Sequence, residues 1–216
     1  MAPDDVLATL RRVKAVPVIR AGTLEPAMQA ARWLGGMGLP VVEMTLTTPN
    51  VFAGIAELSR EPGLVVGAGT ILSAPDARLA IAAGCQFIVT PCWVDGVIEL
   101  ARAANIAVLI GAATAGEIWR AHSAGASAVK VFPAASLGGP TFLSQLRAVF
   151  PAVPLMPTGG VTIDTAADYL AAGALCVGLG SELVPAKSLA AGDRAAVADR
   201  VRRLLARLAP SATMAV

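Results

Sequence analysis

Lys130 stands between Val129 and Val131 in the stretch SAGASAVKVFPAAS, a run that otherwise reads as a buried strand. The chain has only three lysines, Lys14, Lys130 and Lys187, against fourteen arginines. A lysine is rarely fully buried unless it is paired or used. Desolvation disfavours the ammonium form and so favours the neutral amine, which condenses with a ketone or aldehyde to give an imine. A protonated imine accepts the electrons of a bond breaking at the neighbouring carbon. Glu43, in PVVEMTL, is a second charge inside an apolar run, and a carboxylate there can move protons directly or through a water. A purely structural Lys130–Glu43 ion pair would account for the same two charges.

These residues need elements to position them. Apolar, β-branched runs recur at 13–21, 40–46, 64–70, 86–91, 106–112, 127–133, 153–160 and 174–181. The segments between them carry helical patterns, several of which open on Thr, Ser or Asp and close on Gly or Asn, as helix termini prefer. LEPAMQAARWLGGMG has Pro26 in its first turn and glycines at its end. Strands with almost continuous apolar character, each followed by a helix, predict an all-parallel sheet covered by helices. Eight such units predict one (β/α)8 barrel over residues 1–216, with an extra N-terminal helix at 2–12 as a lid on the barrel floor. A doubly wound open sheet would carry G-x-G-x-x-G after its first strand, and this chain does not.

Barrel strands alternate between lumen and helix layer, and chemistry gathers at the C-terminal mouth. By parity Val16, Val18 and Arg20 share a face, as do Val41, Glu43 and Thr45; Ala68 aligns with Thr70, and Ala128 with Lys130 and Phe132. If each set faces the lumen, Arg20, Glu43, Thr70 and Lys130 converge. The seventh and eighth strands end in PTGG (157–160) and GLGS (178–181). Their exposed backbone N–H groups make Gly159, Gly160, Gly180 and Ser181 candidates for a phosphate site. Glycines used only for tight turns would look the same.

Composition excludes several classes. The chain is 56% hydrophobic, yet its uncharged run Val131–Leu146 contains Pro133, Gly138, Gly139 and Pro140 and is shorter than the ~20 residues of a membrane span. No basic start leads into an apolar stretch, so a cytoplasmic protein without an export signal is expected. The formal charge is +2, and the basic cluster DRVRRLLAR reads as a solvated helix face rather than a nucleic-acid surface. Three scattered cysteines and one histidine provide no zinc spacing, so Cys85, Cys92 and Cys176 are expected as free thiols and no metal is expected.

The motifs EMTLTTP, GAGT, IVTP, KVFPA, PTGG and GLGS, in this order between residues 13 and 193, resemble the 2-keto-3-deoxy-6-phosphogluconate (KDPG) and 4-hydroxy-2-oxoglutarate (KHG) aldolases. The resemblance implies a metal-free class I aldolase on a (β/α)8 barrel, commonly a homotrimer, acting on a small 2-keto acid. It implies Lys130 as the imine-forming residue, Glu43 as the proton-transfer residue and Thr70 at the pyruvate carboxylate. Pro91, Phe132 and Thr158 line the pocket, and the four loop residues named above receive phosphate. The implied substrate is KDPG, with KHG or the phosphogalactonate analogue as alternatives. A phosphosugar-binding or assembly protein on the same barrel is the non-enzymatic alternative.

Four positions depart from that pattern. Thr47 replaces an arginine common in the second-strand motif, and Arg20 is expected to supply the missing charge. Cys92 and Ile110 replace the usual residues after the fourth strand and before Gly111. Glu182 places a negative charge beside the expected phosphate loop, and its side chain is expected to point outward, which leaves phosphate binding intact.

Overall fold

Eight short parallel strands alternate with helices along residues 1–209, the part of the chain described by the computed structural model. The last seven residues of the expected 1–216 domain lie outside the described residues. The strands are β1 Ala15–Ile19, β2 Val41–Thr45, β3 Val65–Gly69 and β4 Phe87–Val89, then β5 Ala107–Ala112, β6 Ala128–Val131, β7 Leu155–Pro157 and β8 Val177–Leu179. They pair in the order β7-β6-β5-β4-β3-β2-β1-β8, and a lone parallel bridge from Thr158 to Gly178 joins the two ends of the sheet. The expected (β/α)8 barrel is the fold, and each of the eight apolar runs holds one strand.

The helices are α1 Pro3–Val13, α2 Leu24–Gly36, α3 Val51–Leu58, α4 Ala74–Ala82 and α5 Val97–Ala103, followed by α6 Ala115–Ser123, α7 Gly139–Val149, α8 Ala166–Ala171, α9 Ala186–Ala190 and α10 Arg194–Leu208. Several start where a side chain satisfies an otherwise unpaired N–H. Ser73 accepts from the Asp76 N–H, and Asp193 from that of Ala196. Thr114 and Glu117 form a reciprocal capping box at α6. The Ala113 and Thr114 N–H groups donating to Glu117 hold its carboxyl below the usual glutamate range. In α1, Pro3 fits the first turn, Asp4 and Asp5 face the positive end of the helix dipole, and Arg11 and Arg12 face the negative end.

Two apolar clusters hold the barrel together. One fills the lower lumen with Val16, Val41, Val65, Phe87, Leu109 and Met156, and Val6 and Leu10 of α1 join it from below. The N-terminal helix is therefore the floor plug. The larger cluster lies between strands and helices, with Ile19, Val42, Met44, Val66, Ala68, Ile88, Val129 and Leu155 facing outward into it.

That division corrects the parity expected for β3. Ala68 belongs to the outer layer, so the lumen positions of this strand are Val65, Gly67 and Gly69. Thr70 has φ 61, a left-handed conformation costly for a β-branched residue, and it steps out of the strand's alternation. Among the described residues, no helix is long and apolar enough to cross a membrane.

Candidate active site

Strands β2 and β6 lie opposite each other in an eight-membered ring, so inward-facing side chains from the two can meet across the lumen. Lys130 Nζ lies 3.5 Å from Glu43 Oε1, above the apolar plug. Glu43 is fully buried and Lys130 is 5% exposed. The separation is long for a hydrogen bond, and Glu43 Oε2 has no hydrogen-bond partner among the described residues. A structural ion pair buried at such a cost would be expected to satisfy both carboxylate oxygens. One orphaned oxygen and a loose contact instead suit a pair that works on a third group.

Glycines make the space for this pair. A Cβ on Gly69 would lie 2.0 Å from Glu43 Oε1, and one on Gly67 would lie 2.2 Å from the Phe87 ring. The same device recurs across the barrel, where a Cβ on Gly178 would meet Thr158 Oγ1 at 2.2 Å. Thr158 Oγ1 is also buried without a partner among the described residues.

A cavity of about 500 Å³ opens at the mouth, lined by Arg20, Phe132, Thr158 and Gly159 on its β1, β6 and β7 sides; Lys130 and Glu43 are not among its lining residues. Gly160 after β7 and Gly180, Ser181 and Glu182 after β8 also line it. Phe132 spans the two levels, its ring centroid 5.5 Å from Lys130 Nζ. Gly159 and Gly160 have φ of 88 and 75, and a Cβ on Gly160 would strike that of Ala135 at 2.4 Å. Only glycine fits both the turn and the close approach. The N–H groups of Gly160, Gly180 and Ser181 donate no hydrogen bond among the described residues. Unclaimed backbone donors converging at one end of a cavity suit an anion.

Arg20 meets the place of the missing arginine. Its Nε donates to Thr47 Oγ1 at 3.1 Å, Thr47 hydrogen-bonds Thr45 Oγ1 at 2.8 Å, and Thr45 donates to the Ile19 carbonyl at 3.0 Å. The guanidinium, although exposed, is thus oriented by a threonine relay fixed to β1. Thr70 and Pro91 stand outside this cavity. Thr70 lines a neighbouring depression with Thr47 and Thr48, and the Pro91 backbone packs against Gly111. Among the described residues no three His, Cys, Asp or Glu side chains gather as a metal cage would require.

The sequence profile described as "Aldolase: KDPG and KHG aldolase" matches residues 6–200. The chain belongs to the KDPG and KHG aldolase family. A 2-dehydro-3-deoxy-phosphogluconate aldolase of Treponema pallidum is 37% identical over 87% of this chain and 90% of its own length. The crystal structure of the Zymomonas mobilis 2-keto-3-deoxy-6-phosphogluconate aldolase is 34% identical and superposes with a TM-score of 0.83, covering 94% of this chain and 96% of that one. A Legionella pneumophila KDPG aldolase, whose structure holds pyruvate as a covalent carbinolamine, is 28% identical with a TM-score of 0.85 over 94% of this chain and 98% of that one.

Against this aldolase family, the departures find plain structural places. Ile110 packs in the outer layer and Cys92 is exposed, while Glu182, expected to point outward, is instead among the residues lining the cavity, its carboxylate 3.9 Å from the Arg200 guanidinium. Beside Cys92, Trp93 Nε1 donates to Asp95 Oδ1 at 2.6 Å, and the Arg120 guanidinium lies 3.9 Å over its ring. Three contributors escaped the sequence reading: Gly69, Gly178 and Arg200. A glycine at a lumen position of an otherwise β-branched strand was a readable signal for the first two. Nothing local in the sequence marked Arg200, which reaches the cavity from α10.

Proposed function

We propose that this protein is a class I aldolase that reversibly cleaves 2-keto-3-deoxy-6-phosphogluconate to pyruvate and glyceraldehyde 3-phosphate. The observation that carries the reading is the buried Lys130–Glu43 pair, loose at 3.5 Å and with one carboxylate oxygen unpartnered, joined through Phe132 to a cavity of about 500 Å³. Lys130 gives its ammonium proton to Glu43 and adds as the neutral amine to the C2 carbonyl, giving a carbinolamine. Glu43 passes a proton to the departing hydroxyl, water leaves, and a protonated imine remains.

Glu43, again a carboxylate, takes the C4 hydroxyl proton as the C3–C4 bond breaks. The bonding pair moves into the imine to form the pyruvate enamine, and the aldehyde departs. Protonation of C3 and addition of water to the imine then release pyruvate and restore Lys130. Arg20 supports the reading as a cation for the substrate carboxylate, whereas Thr70 and Pro91, outside the cavity that Arg20 lines, add no support to it. Thr158 offers its unpartnered hydroxyl, Phe132 covers the reacting carbons, and Gly159, Gly160, Gly180 and Ser181 present backbone donors to the phosphate. The imine needs neither metal nor organic cofactor.

Borohydride trapping with pyruvate tests the proposal. A pyruvate-sized adduct on Lys130, absent without borohydride and absent in Lys130→Ala, is expected. A folded protein that gives no adduct at saturating pyruvate is a phosphosugar-binding barrel instead. Aldehyde release from KDPG, its galactonate analogue and 4-hydroxy-2-oxoglutarate then ranks the substrates. We also propose a homotrimer. Trp119, 52% exposed and stacked on Phe150 at 5.5 Å beside exposed Val149, supplies apolar surface suited to a subunit contact. Light scattering in solution measures the mass.

A further inference from the structure

Of the arginines in α10, Arg202 pairs with Asp199 and Arg207 with Asp164 on the exposed surface, as a solvated helix face should. Arg200 does not follow them. It stands beside the buried Val197 and Val201, is half-buried, and turns toward the loop after β8. There its Nη1 donates to the Glu182 carbonyl at 2.6 Å and lies 3.9 Å from Glu182 Oε2. Both residues line the cavity beside Gly160, Gly180 and Ser181. No other hydrogen bond from the guanidinium is formed among the described residues, so most of its five N–H donors remain for another acceptor.

We infer that Arg200 is a further substrate-binding residue, a guanidinium that contacts the phosphate monoester at the distal end of the cavity, with Glu182 as its built-in counter-anion. The inference rests on the aldolase reading above and extends it to a residue outside the barrel strands and their loops. The backbone donors at this end carry only partial charge. A phosphate dianion approaching them also meets the Glu182 carboxylate, and without a nearby cation that carboxylate would repel it. Arg200 neutralises Glu182 through a loose contact and, by gripping the carbonyl of the same residue, fixes its own position. A planar guanidinium with donors to spare matches phosphate oxygens better than a lysine would. The pair thereby discriminates: the distal group must be anionic enough to draw Arg200 away from Glu182, which disfavours an uncharged terminus.

Inorganic phosphate is the probe, measured by calorimetric titration of the full chain. The variants are Arg200→Met, Arg200→Lys and Glu182→Gln. Arg200→Met is expected to raise the phosphate Kd at least tenfold, with partial recovery in Arg200→Lys. Glu182→Gln is expected to lower Kd severalfold, because a repulsive charge is gone while the carbonyl contact to Arg200 stays. An unchanged Kd in folded Arg200→Met, or no phosphate binding by the unmodified protein, overturns the assignment. If Arg200→Met does not fold, Glu182→Gln decides: weaker or unchanged phosphate binding defeats the counter-anion role. Pyruvate trapping on Lys130, run on the same samples, separates the two levels. Its absence in the unmodified protein sinks the aldolase reading, whereas trapping that persists alongside an unchanged phosphate Kd sinks only the role of Arg200.

Discussion

Replacing Gly69 by alanine would insert one methyl group 2.0 Å from Glu43 Oε1, 2.4 Å from Cγ and 2.5 Å from Cδ. Ordinary contact begins at 3.4 Å, so the carboxylate oxygen must retreat by about 1.4 Å. Glu43 is fully buried, which leaves it little freedom to move without disturbing its contact with Lys130. A misplacement of about 1 Å in a reacting group can cost about 10²-fold in rate. Gly69→Ala is therefore expected to lower kcat about 10²-fold with every charge in the site retained. Overpacking adds a stability loss of about 1–3 kcal/mol, a fall in Tm of roughly 2–12 °C for a chain of this size. The assay is steady-state aldehyde release coupled to a reductase, beside a thermal melt. Gly116→Ala is the control, since its Cβ meets nothing within 4 Å. If Gly69→Ala is folded and keeps kcat within about threefold, the position of Glu43 does not govern the reaction and the proton-transfer role assigned to it fails.

Arg20→Ala should raise KM for pyruvate about tenfold or more, from loss of a charged hydrogen bond of about 1.5–3 kcal/mol; Thr47→Val should give a smaller rise by loosening the Arg20 guanidinium, and an unchanged KM in both would remove Arg20 from the carboxylate site. Thiol labelling of the native protein should modify Cys92 alone, because Cys85 and Cys176 are buried, with the Cys85 thiol pushed up to about 12 by desolvation and that of Cys176 higher still; all three should react after denaturation, and three native equivalents would contradict the core. Glu117→Ala should lower Tm at pH 7, and the difference should vanish under acid conditions. The folded carboxyl titrates below its unfolded value near 4.5, so its stabilisation is present above that value and is lost as pH falls through the folded one. A Tm difference that persists at pH 2 would mean that the capping box does not depend on the charge.

Much of the barrel was legible because its two periodicities are local. A lysine or glutamate inside a β-branched run announces its own burial, and Pro3, Ser73 and Thr114 announce helix starts through chemistry confined to one turn. The parity of β3 failed for an equally physical reason. Two of its lumen positions, Gly67 and Gly69, carry no side chain with which to declare their face, and the left-handed Thr70 breaks the alternation at the end of the strand. Thr70 thus stands in a neighbouring depression rather than in the cavity that Arg20 lines.

From the sequence alone came the fold class, the floor helix, the lysine and glutamate, and the glycine loops, since each rests on residue type and short-range spacing. Tertiary structure alone decided that Lys130 and Glu43 approach to 3.5 Å across 87 residues of sequence, that Arg20 leans on Thr47, and that Arg200 reaches Glu182 from the last helix. Those contacts join elements distant along the chain. Their distances follow from barrel closure and helix packing, which set the approach of two side chains only after every intervening element has been placed.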